Sequence, residues 1–123
     1  MAREVFFLIG RGGALIWSDA STSPSALPDS RRRWEAIWEN RAELEELAHS
    51  HPNGPLAFSS EDETTMQALE GALGQELCFS VVSPEGMIRR EDGATSRIDS
   101  ENEPWWTALL RLASGINPKP GEE

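Results

Sequence analysis

The stretch His49-Ser50-His51-Pro52, followed shortly by Ser59-Ser60-Glu61-Asp62, predicts a strand, a turn and a helix in succession. Both histidines of the protein lie in it. Side chains two residues apart on an extended strand point to the same side of a sheet. The two imidazoles are therefore placed to bind one ligand together.

The residues after His51 predict a reversal of the chain. Pro52 ends the strand, and Asn53-Gly54-Pro55 is typical of a turn. Ser59 or Ser60 is suited to cap the helix that follows, and Glu63 has the spacing to close a capping box on Ser60. The turn would bring the first residues of this helix back toward the imidazoles.

The helix is predicted to run from about Ser60 to Leu73 and to end at Gly74. One stripe of it, with the spacing i, i+4, i+7 and i+11, consists of Asp62, Met66, Leu69 and Leu73. Asp62 heads this apolar face, where an ionised carboxylate needs a compensating partner. Two imidazoles and one carboxylate are a ligand set for zinc that leaves the fourth tetrahedral position open, as in catalytic sites. The sequence therefore predicts Zn²⁺ bound by His49, His51 and Asp62.

The pattern His-x-His-Pro, then Ser-x-x-Asp with ten residues between His51 and Asp62, resembles the metal motif of JAMM proteases, also called MPN-plus or JAB domains. The resemblance covers roughly residues 4–90. It implies that His49, His51 and Asp62 are the zinc ligands and that Ser59 is the oxyanion donor. It also implies an MPN/JAB-type mixed β-sheet flanked by helices, a cytidine-deaminase-like sandwich.

The family's general base is a glutamate at the head of a hydrophobic strand that ends in glycine. Glu4-Val5-Phe6-Phe7-Leu8-Ile9-Gly10 resembles that element, so Glu4 is the predicted base. Four rival glutamates are Glu35, Glu39, Glu43 and Glu45. The first two are predicted on the solvated face of a helix, and Glu45 would stand about 13 Å from His49, too far to share a water.

The resemblance implies hydrolysis of an amide bond at the C-terminus of a ubiquitin-like protein or a small sulfur carrier. In this chemistry zinc lowers the pKa of a water molecule, Glu4 accepts its proton, and Ser59 helps to hold the oxyanion. The loop from Asn53 to Phe58 is expected to border the substrate tail.

Two alternatives stay open from the sequence. A noncatalytic metal-binding or scaffold module is one, because Glu4 lies three residues from the first residue, where fraying is common. The other is the RadC-like branch of the same superfamily, whose His-Asn-His-Pro-Ser-Gly segment resembles His49 to Gly54. Ser50 in place of the asparagine weighs against that branch, and so does the acidic charge. The natural substrate and the oligomeric state are not set by these patterns.

Size and composition are those of one soluble globular domain. The chain has 123 residues, 38% hydrophobic and 26% charged, and we expect a single domain over residues 1–116 with a disordered tail over residues 117–123. Amidohydrolase barrels, which also carry His-x-His, need about 250 residues. A metallo-β-lactamase-type site would need further histidines.

The charge of the chain disfavours nucleic acid as a partner. Its net charge is −10 and its pI about 4.6, whereas binding through phosphates depends on clustered Lys and Arg. The one basic run, Arg31-Arg32-Arg33, is predicted as a solvated helix face. No apolar run approaches the roughly 18 residues that span a bilayer, and a cytoplasmic location with no membrane partner is expected. Cys78, the single cysteine, is predicted to fill the core and not to act as a nucleophile.

The remaining patterns predict an α/β or α+β sandwich around a mixed sheet. Val5 to Ile9 and Ala14 to Ser18 form a predicted hairpin, and Ser21 to Ser30 a loop. The later strands are predicted over Leu44 to His51, Glu76 to Ser83 and Met87 to Glu91, with a loop from Asp92 to Asn102.

Two further helices are predicted. One is capped by Asp29 or Ser30, and its apolar stripe is Trp34, Ile37 and Trp38. The other begins near Pro104 and ends at Gly115. Its apolar residues are Trp105, Trp106, Leu109, Leu110 and Leu112.

Overall fold

The computed structural model describes residues 2–21 and 31–116, in which one mixed sheet is flanked by helices. Its strands are β1 (Val5–Gly10), β2 (Leu15–Ala20), β3 (Leu44–Ser50), β4 (Cys78–Ser83), β5 (Gly86–Glu91) and β6 (Ala94–Ile98). The α-helices in these residues are α1 (Arg31–Glu39), α2 (Ser60–Leu73) and α3 (Trp106–Ser114). The strand order is β2-β1-β3-β4-β5-β6. The predicted class, a mixed sheet with helices, is confirmed.

Two apolar clusters cover opposite faces of the sheet, because successive side chains of a strand alternate between its faces. One joins the sheet to α1 and α2 and includes Phe6, Leu8, Ile37, Leu47, Met66, Leu69 and Phe79. The other joins the sheet to α3 and includes Val5, Phe7, Ile9, Ala48, Val82, Trp106 and Leu110. The sheet is therefore the middle layer of a three-layer sandwich.

The centre of the sheet holds its one parallel pair, β3 beside β4, and α2 connects the two strands. Parallel neighbours need such a crossover, and α2 begins beyond the carboxyl end of β3. His51 extends the ladder past β3, since its backbone N–H donates to the Val82 carbonyl at 2.8 Å. The last residues of β3 and the first turn of α2 therefore lie together at the carboxyl end of the central strands β3 and β4.

Helix α2 has the predicted bounds, and Ser59, one of the two serines predicted as its N-cap, caps it. Ser59 Oγ accepts a bond from the Asp62 amide at 3.0 Å, and the Asp62 carboxylate accepts one from the Ser59 amide at 2.8 Å. The prediction that Glu63 closes a box on Ser60 is wrong, because the Glu63 side chain turns outward to an arginine of β5. Gly74, with φ 65°, is the predicted C-cap.

The segment from Asp92 to Asn102, predicted as a loop, contains β6. Asp92 and Gly93 both have positive φ, 53° and 77°, as in the tight turns that favour Asp-Gly. They join β5 to β6 in an antiparallel pair with Arg90 opposite Thr95. β6 lies at the sheet edge with most of its residues exposed, so no apolar alternation marked it in the sequence.

Helix α1 buries a different face from the predicted one. Ile37 is in the core, but Trp34 is 38% and Trp38 54% exposed. Arg33 is buried instead, although the arginine run was predicted as a solvated face. Its guanidinium lies 5.1 Å from the centre of the Phe6 ring and pairs with Asp19 at 3.2 Å, which compensates the charge.

Helix α3 begins at Trp106, two residues after the predicted start, and ends with Gly115 at φ 75°. Its buried residues include Trp106, Leu110 and Ser114. Trp105, Leu109 and Leu112, which were predicted on its apolar face, are exposed. The hairpin of β1 and β2 and that of β4 and β5 are confirmed, with ends shifted by up to two residues.

Several predictions fall where the structure gives no description: the loop from Ser21 to Ser30 beyond its first residue, the caps Asp29 and Ser30, and the tail over residues 117–123. The single-domain assignment stays a prediction. Of the helices in the described ranges, none is both long and apolar enough to cross a membrane.

Candidate metal centre

The two imidazoles converge at the carboxyl end of β3. The Nε2 atoms of His49 and His51 lie 3.0 Å apart, and their side chains are 14% and 13% exposed. The rings meet edge to face, with an angle of 69° between their planes. The prediction that both side chains leave the strand on one face is confirmed.

The hydrogen bond of His51 Nδ1 determines which of the two ring nitrogens carries the proton. Its Nδ1 lies 3.0 Å from the carbonyl oxygen of Pro55. A carbonyl only accepts, so Nδ1 carries the proton and Nε2 of the neutral ring keeps its lone pair. Burial and the neighbouring His49 lower the pKa of His51 below its usual value, which favours the neutral ring. The predicted turn after His51 supplies this partner and so orients the ring, with Nε2 toward His49.

Asp62 completes a group of three. Its Oδ1 lies 3.3 Å from His49 Nε2, and its Oδ2 lies 3.6 Å from His51 Nε2. Burial opposes the ionisation of this carboxyl. The hydrogen bond and charge of His49, with the Ser59 amide, outweigh burial and lower the Asp62 pKa to about 2. Asp62 is therefore an anion at neutral pH.

The pairing of β1 with β3 brings Glu4 to the same place. Phe6 lies opposite His49 in this antiparallel pair, and two residues further the same register puts Glu4 opposite His51. The Glu4 carbonyl accepts a bond from the Ser21 amide at 2.9 Å, which fixes its backbone beyond the strand. Glu4 is 7% exposed, so it is not the surface charge at a strand start that one expects by default.

The Glu4 carboxylate lies close to both imidazoles and interacts with the charges of His49 and Asp62. One of its oxygens lies within 4.8 Å of a ring nitrogen of each histidine, close enough for ligation or for contact through one water. Burial raises the pKa of Glu4 from its usual value, although the charge of His49 opposes the shift. A raised pKa makes the carboxylate a stronger base.

The donor atoms fit a zinc ion. Zinc binds imidazole nitrogen and carboxylate oxygen at about 2.0–2.2 Å, so donors at two corners of a tetrahedron lie about 3.3–3.6 Å apart. The two Nε2 atoms lie 3.0 Å apart, and each is close to a different Asp62 oxygen, His49 Nε2 to Oδ1 at 3.3 Å and His51 Nε2 to Oδ2 at 3.6 Å. Glu4 with the two histidines is a second candidate set, at up to 4.8 Å. We favour Asp62 as the third ligand because it approaches both imidazoles more closely, with an oxygen 3.3 Å from His49 Nε2 and an oxygen 3.6 Å from His51 Nε2.

Ser59 stands beside this group as the N-cap of α2. Its Oγ accepts a bond from the Asp62 amide, which uses one lone pair and leaves the hydroxyl proton free to be donated elsewhere. Capping and donation to a substrate are therefore compatible in one side chain.

A cavity of about 540 Å³ opens over the site. Glu4, both histidines, Ser59 and Asp62 all line it, together with Arg33, Trp34, Asn53, Gly54, Pro55 and Phe58. The prediction that the loop from Asn53 to Phe58 borders the site is confirmed. The lining runs from α1 to this loop.

The rival glutamates are all exposed: Glu35, Glu39, Glu43 and Glu45. The sequence analysis missed a buried carboxylate, Glu46, which is 7% exposed. It points away from the site, to the α3 side of the sheet, where Ser80 and Arg89 bind it. No local signal marked it, because Glu45 also lies between Leu44 and Leu47 and is exposed.

The sequence matches no protein-family model and no curated protein.

Proposed function

We propose that this chain is a zinc-dependent peptidase of the JAMM class, with an MPN/JAB-type fold. The carrying observation is the approach of His49, His51 and Asp62 to within 3.0–3.6 Å of each other, with Glu4 buried at their side. The proposed substrate is an amide bond at the C-terminus of a ubiquitin-like or sulfur-carrier protein. The class of substrate rests on the resemblance of the motif, and the cavity supports it by its size.

His49, His51 and Asp62 would hold the zinc ion. When bound, zinc supplies Lewis acidity, which polarises a carbonyl and lowers the pKa of water. Glu4 accepts a proton from the attacking water as the oxygen–carbon bond forms. It returns this proton to the amine nitrogen as the carbon–nitrogen bond breaks. The raised pKa of Glu4 suits both steps, since a base that is too weak would not take the proton.

Ser59 and the cavity walls act on the substrate. The Ser59 hydroxyl can donate its proton to the oxyanion that develops at the carbonyl. Pro55, Phe58 and Trp34, which all line the cavity, offer apolar surface to an extended tail. The noncatalytic alternative was based on the expectation that Glu4 would be frayed. Because Glu4 is buried and its backbone is hydrogen-bonded, we favour the catalytic role.

The test is hydrolysis of ubiquitin-like and sulfur-carrier proteins that carry a fluorescent amide at their C-terminus. We expect the zinc-loaded protein to cleave at least one member of the panel. Glu4→Gln should lose about 10²-fold or more of kcat and still bind zinc. Glu45→Gln, a change of an exposed glutamate on β3, is the matched control and should keep full activity.

Equal activity of Glu4→Gln and the wild type would remove Glu4 from the mechanism. If the wild type binds zinc and cleaves nothing in the panel, the substrate class is wrong. If substitution of His49, His51 or Asp62 leaves zinc binding unchanged, the proposed metal site is wrong.

A further inference from the structure

Two buried serines connect the candidate site to the helix on the opposite face of the sheet. Ser50 lies between His49 and His51, so its side chain points to the other face of β3. Ser114 is the last residue of α3. Both are fully buried, and their Oγ atoms lie 2.7 Å apart.

The directions of these hydrogen bonds follow from the partners. Ser114 Oγ lies 2.6 Å from the carbonyl oxygen of Leu110, which only accepts, so the Ser114 proton is donated there. The Ser50 hydroxyl must then donate to Ser114 Oγ. Ser50 Oγ itself accepts from the Val5 amide at 2.9 Å. One chain of bonds therefore runs from the backbone next to Glu4 to the last turn of α3.

The end of α3 also holds the residue on the other side of Glu4. The Arg3 amide donates to the Ser114 carbonyl at 2.9 Å, and Arg3 Nε donates to the Ala113 carbonyl at 3.1 Å. Glu4 thus lies between Arg3, whose amide binds the Ser114 carbonyl, and Val5, whose amide binds the Ser50 hydroxyl and through it the Ser114 hydroxyl. A segment that precedes a strand would otherwise open readily.

We propose that Ser50 and Ser114 are positioning residues that hold Glu4 against the histidine pair. They touch neither the proposed ligand atoms nor the cavity, because they lie on the α3 side of the sheet. Their hydroxyls act on Glu4 through the Val5 amide, whereas the Arg3 amide binds the Ser114 backbone carbonyl and keeps that bond in a serine variant. The catalytic consequence rests on the proposed function, whereas the anchoring of the chain can be measured without it.

The experiment uses Ser50→Ala, Ser114→Ala and the double variant of the zinc-loaded protein. The matched control is Ser80→Ala, another fully buried serine of the sheet whose hydroxyl bonds to Glu46 away from Glu4. Four quantities are measured: the exchange rate of the Val5 amide by NMR, the zinc dissociation constant, kcat and KM.

In each serine variant we expect the Val5 amide to exchange about tenfold faster or more. We expect kcat to fall about tenfold, with KM and the zinc dissociation constant changed by less than about threefold. Because both residues act through one chain of bonds, the double variant should resemble the worse single variant and not show the product of the two effects. Ser80→Ala should leave the Val5 exchange rate and kcat near the wild-type values.

The proposal is overturned if both serine variants match Ser80→Ala in Val5 exchange and kcat, or if their effects multiply. If Ser50→Ala fails to fold, Ser114→Ala decides alone, because it removes the partner of the Ser50 hydroxyl and keeps the carbonyl that binds the Arg3 amide. Wild-type protein without hydrolytic activity would defeat the proposed function alone, and the exchange rates would still decide whether the serines anchor Glu4.

Discussion

Arg90 on β5 pairs with Glu63 on α2 through two guanidinium nitrogens, directly beside the proposed ligand Asp62. The hydrogen bond from Arg90 lowers the Glu63 pKa, so the pair stays ionised. The same guanidinium lies 4.9 Å from the centre of the Phe58 ring, which lines the cavity. One arginine therefore restrains the first turn of α2 and the end of the loop before it.

From this contact we predict that Arg90→Ala weakens zinc binding about three- to tenfold, although no ligand is changed. The reason is that the first turn of α2, which carries Asp62, loses its tie to β5. Competition with a chromophoric chelator measures the effect. Arg97→Ala, which removes an exposed arginine of the neighbouring strand β6, should leave the zinc affinity unchanged.

Zinc should stabilise the folded chain, because the unfolded chain does not hold the three donors together. At a free zinc concentration about 100 times the dissociation constant, the gain is about 2.7 kcal/mol, or roughly 10 °C in Tm for a domain of this size. Differential scanning fluorimetry with zinc and with EDTA checks this. His49→Ala should show no zinc-dependent shift; a full shift in that variant would place the ion elsewhere.

The Glu46–Arg89 pair should matter for stability and not for the site. Arg89 binds both Glu46 oxygens, at 3.0 and 3.1 Å, with side-chain exposures of 23% and 10%. Arg89→Ala leaves a buried carboxylate with the Ser80 hydroxyl, and we expect a loss of about 2–3 kcal/mol in urea unfolding.

The control for that experiment is Arg31→Ala, which breaks the exposed Arg31–Glu35 pair and should cost close to nothing. Zinc affinity should stay at the wild-type value in both variants. A large change in Arg89→Ala would mean that the two faces of β3 are coupled through Glu46.

Cys78 should be a poor nucleophile at neutral pH. Burial raises its pKa to about 11, and the nearby Glu91 and Glu46 act in the same direction. The thiolate fraction at pH 7 is then on the order of 100-fold below that of a free cysteine. Alkylation by iodoacetamide should be correspondingly slow and should accelerate up to about pH 11. A fast reaction at pH 7 would show that the thiol is ionised.

The convergence of His49, His51 and Asp62 and the bounds of α2 were predictable because their signals are local. His49 and His51 share a strand face by simple alternation, and Asp62 follows from a helix whose stripe and C-cap are visible in the sequence. The role of Ser59 as cap required a choice between two adjacent serines. Spacing allowed both, and the bond between Ser59 and the Asp62 amide decides it.

The anchoring of Glu4 could not be predicted, since it depends on contacts across more than 40 residues of chain. Ser50 meets Val5, and Ser114 meets Ser50, only after β1, β3 and α3 have assembled. The strand β6 was missed for a different reason, because its exposed residues give no apolar pattern. Its Asp92-Gly93 turn was the local signal that could have revealed it.

The bond between Ser50 and Ser114 has a consequence for how this sequence can change over time. A substitution at position 50 leaves the buried Ser114 hydroxyl without its donor. A substitution at position 114 leaves the buried Ser50 hydroxyl without its acceptor. Among relatives that keep the fold, we expect these two positions to vary together, so that an apolar residue at one is matched by an apolar residue at the other.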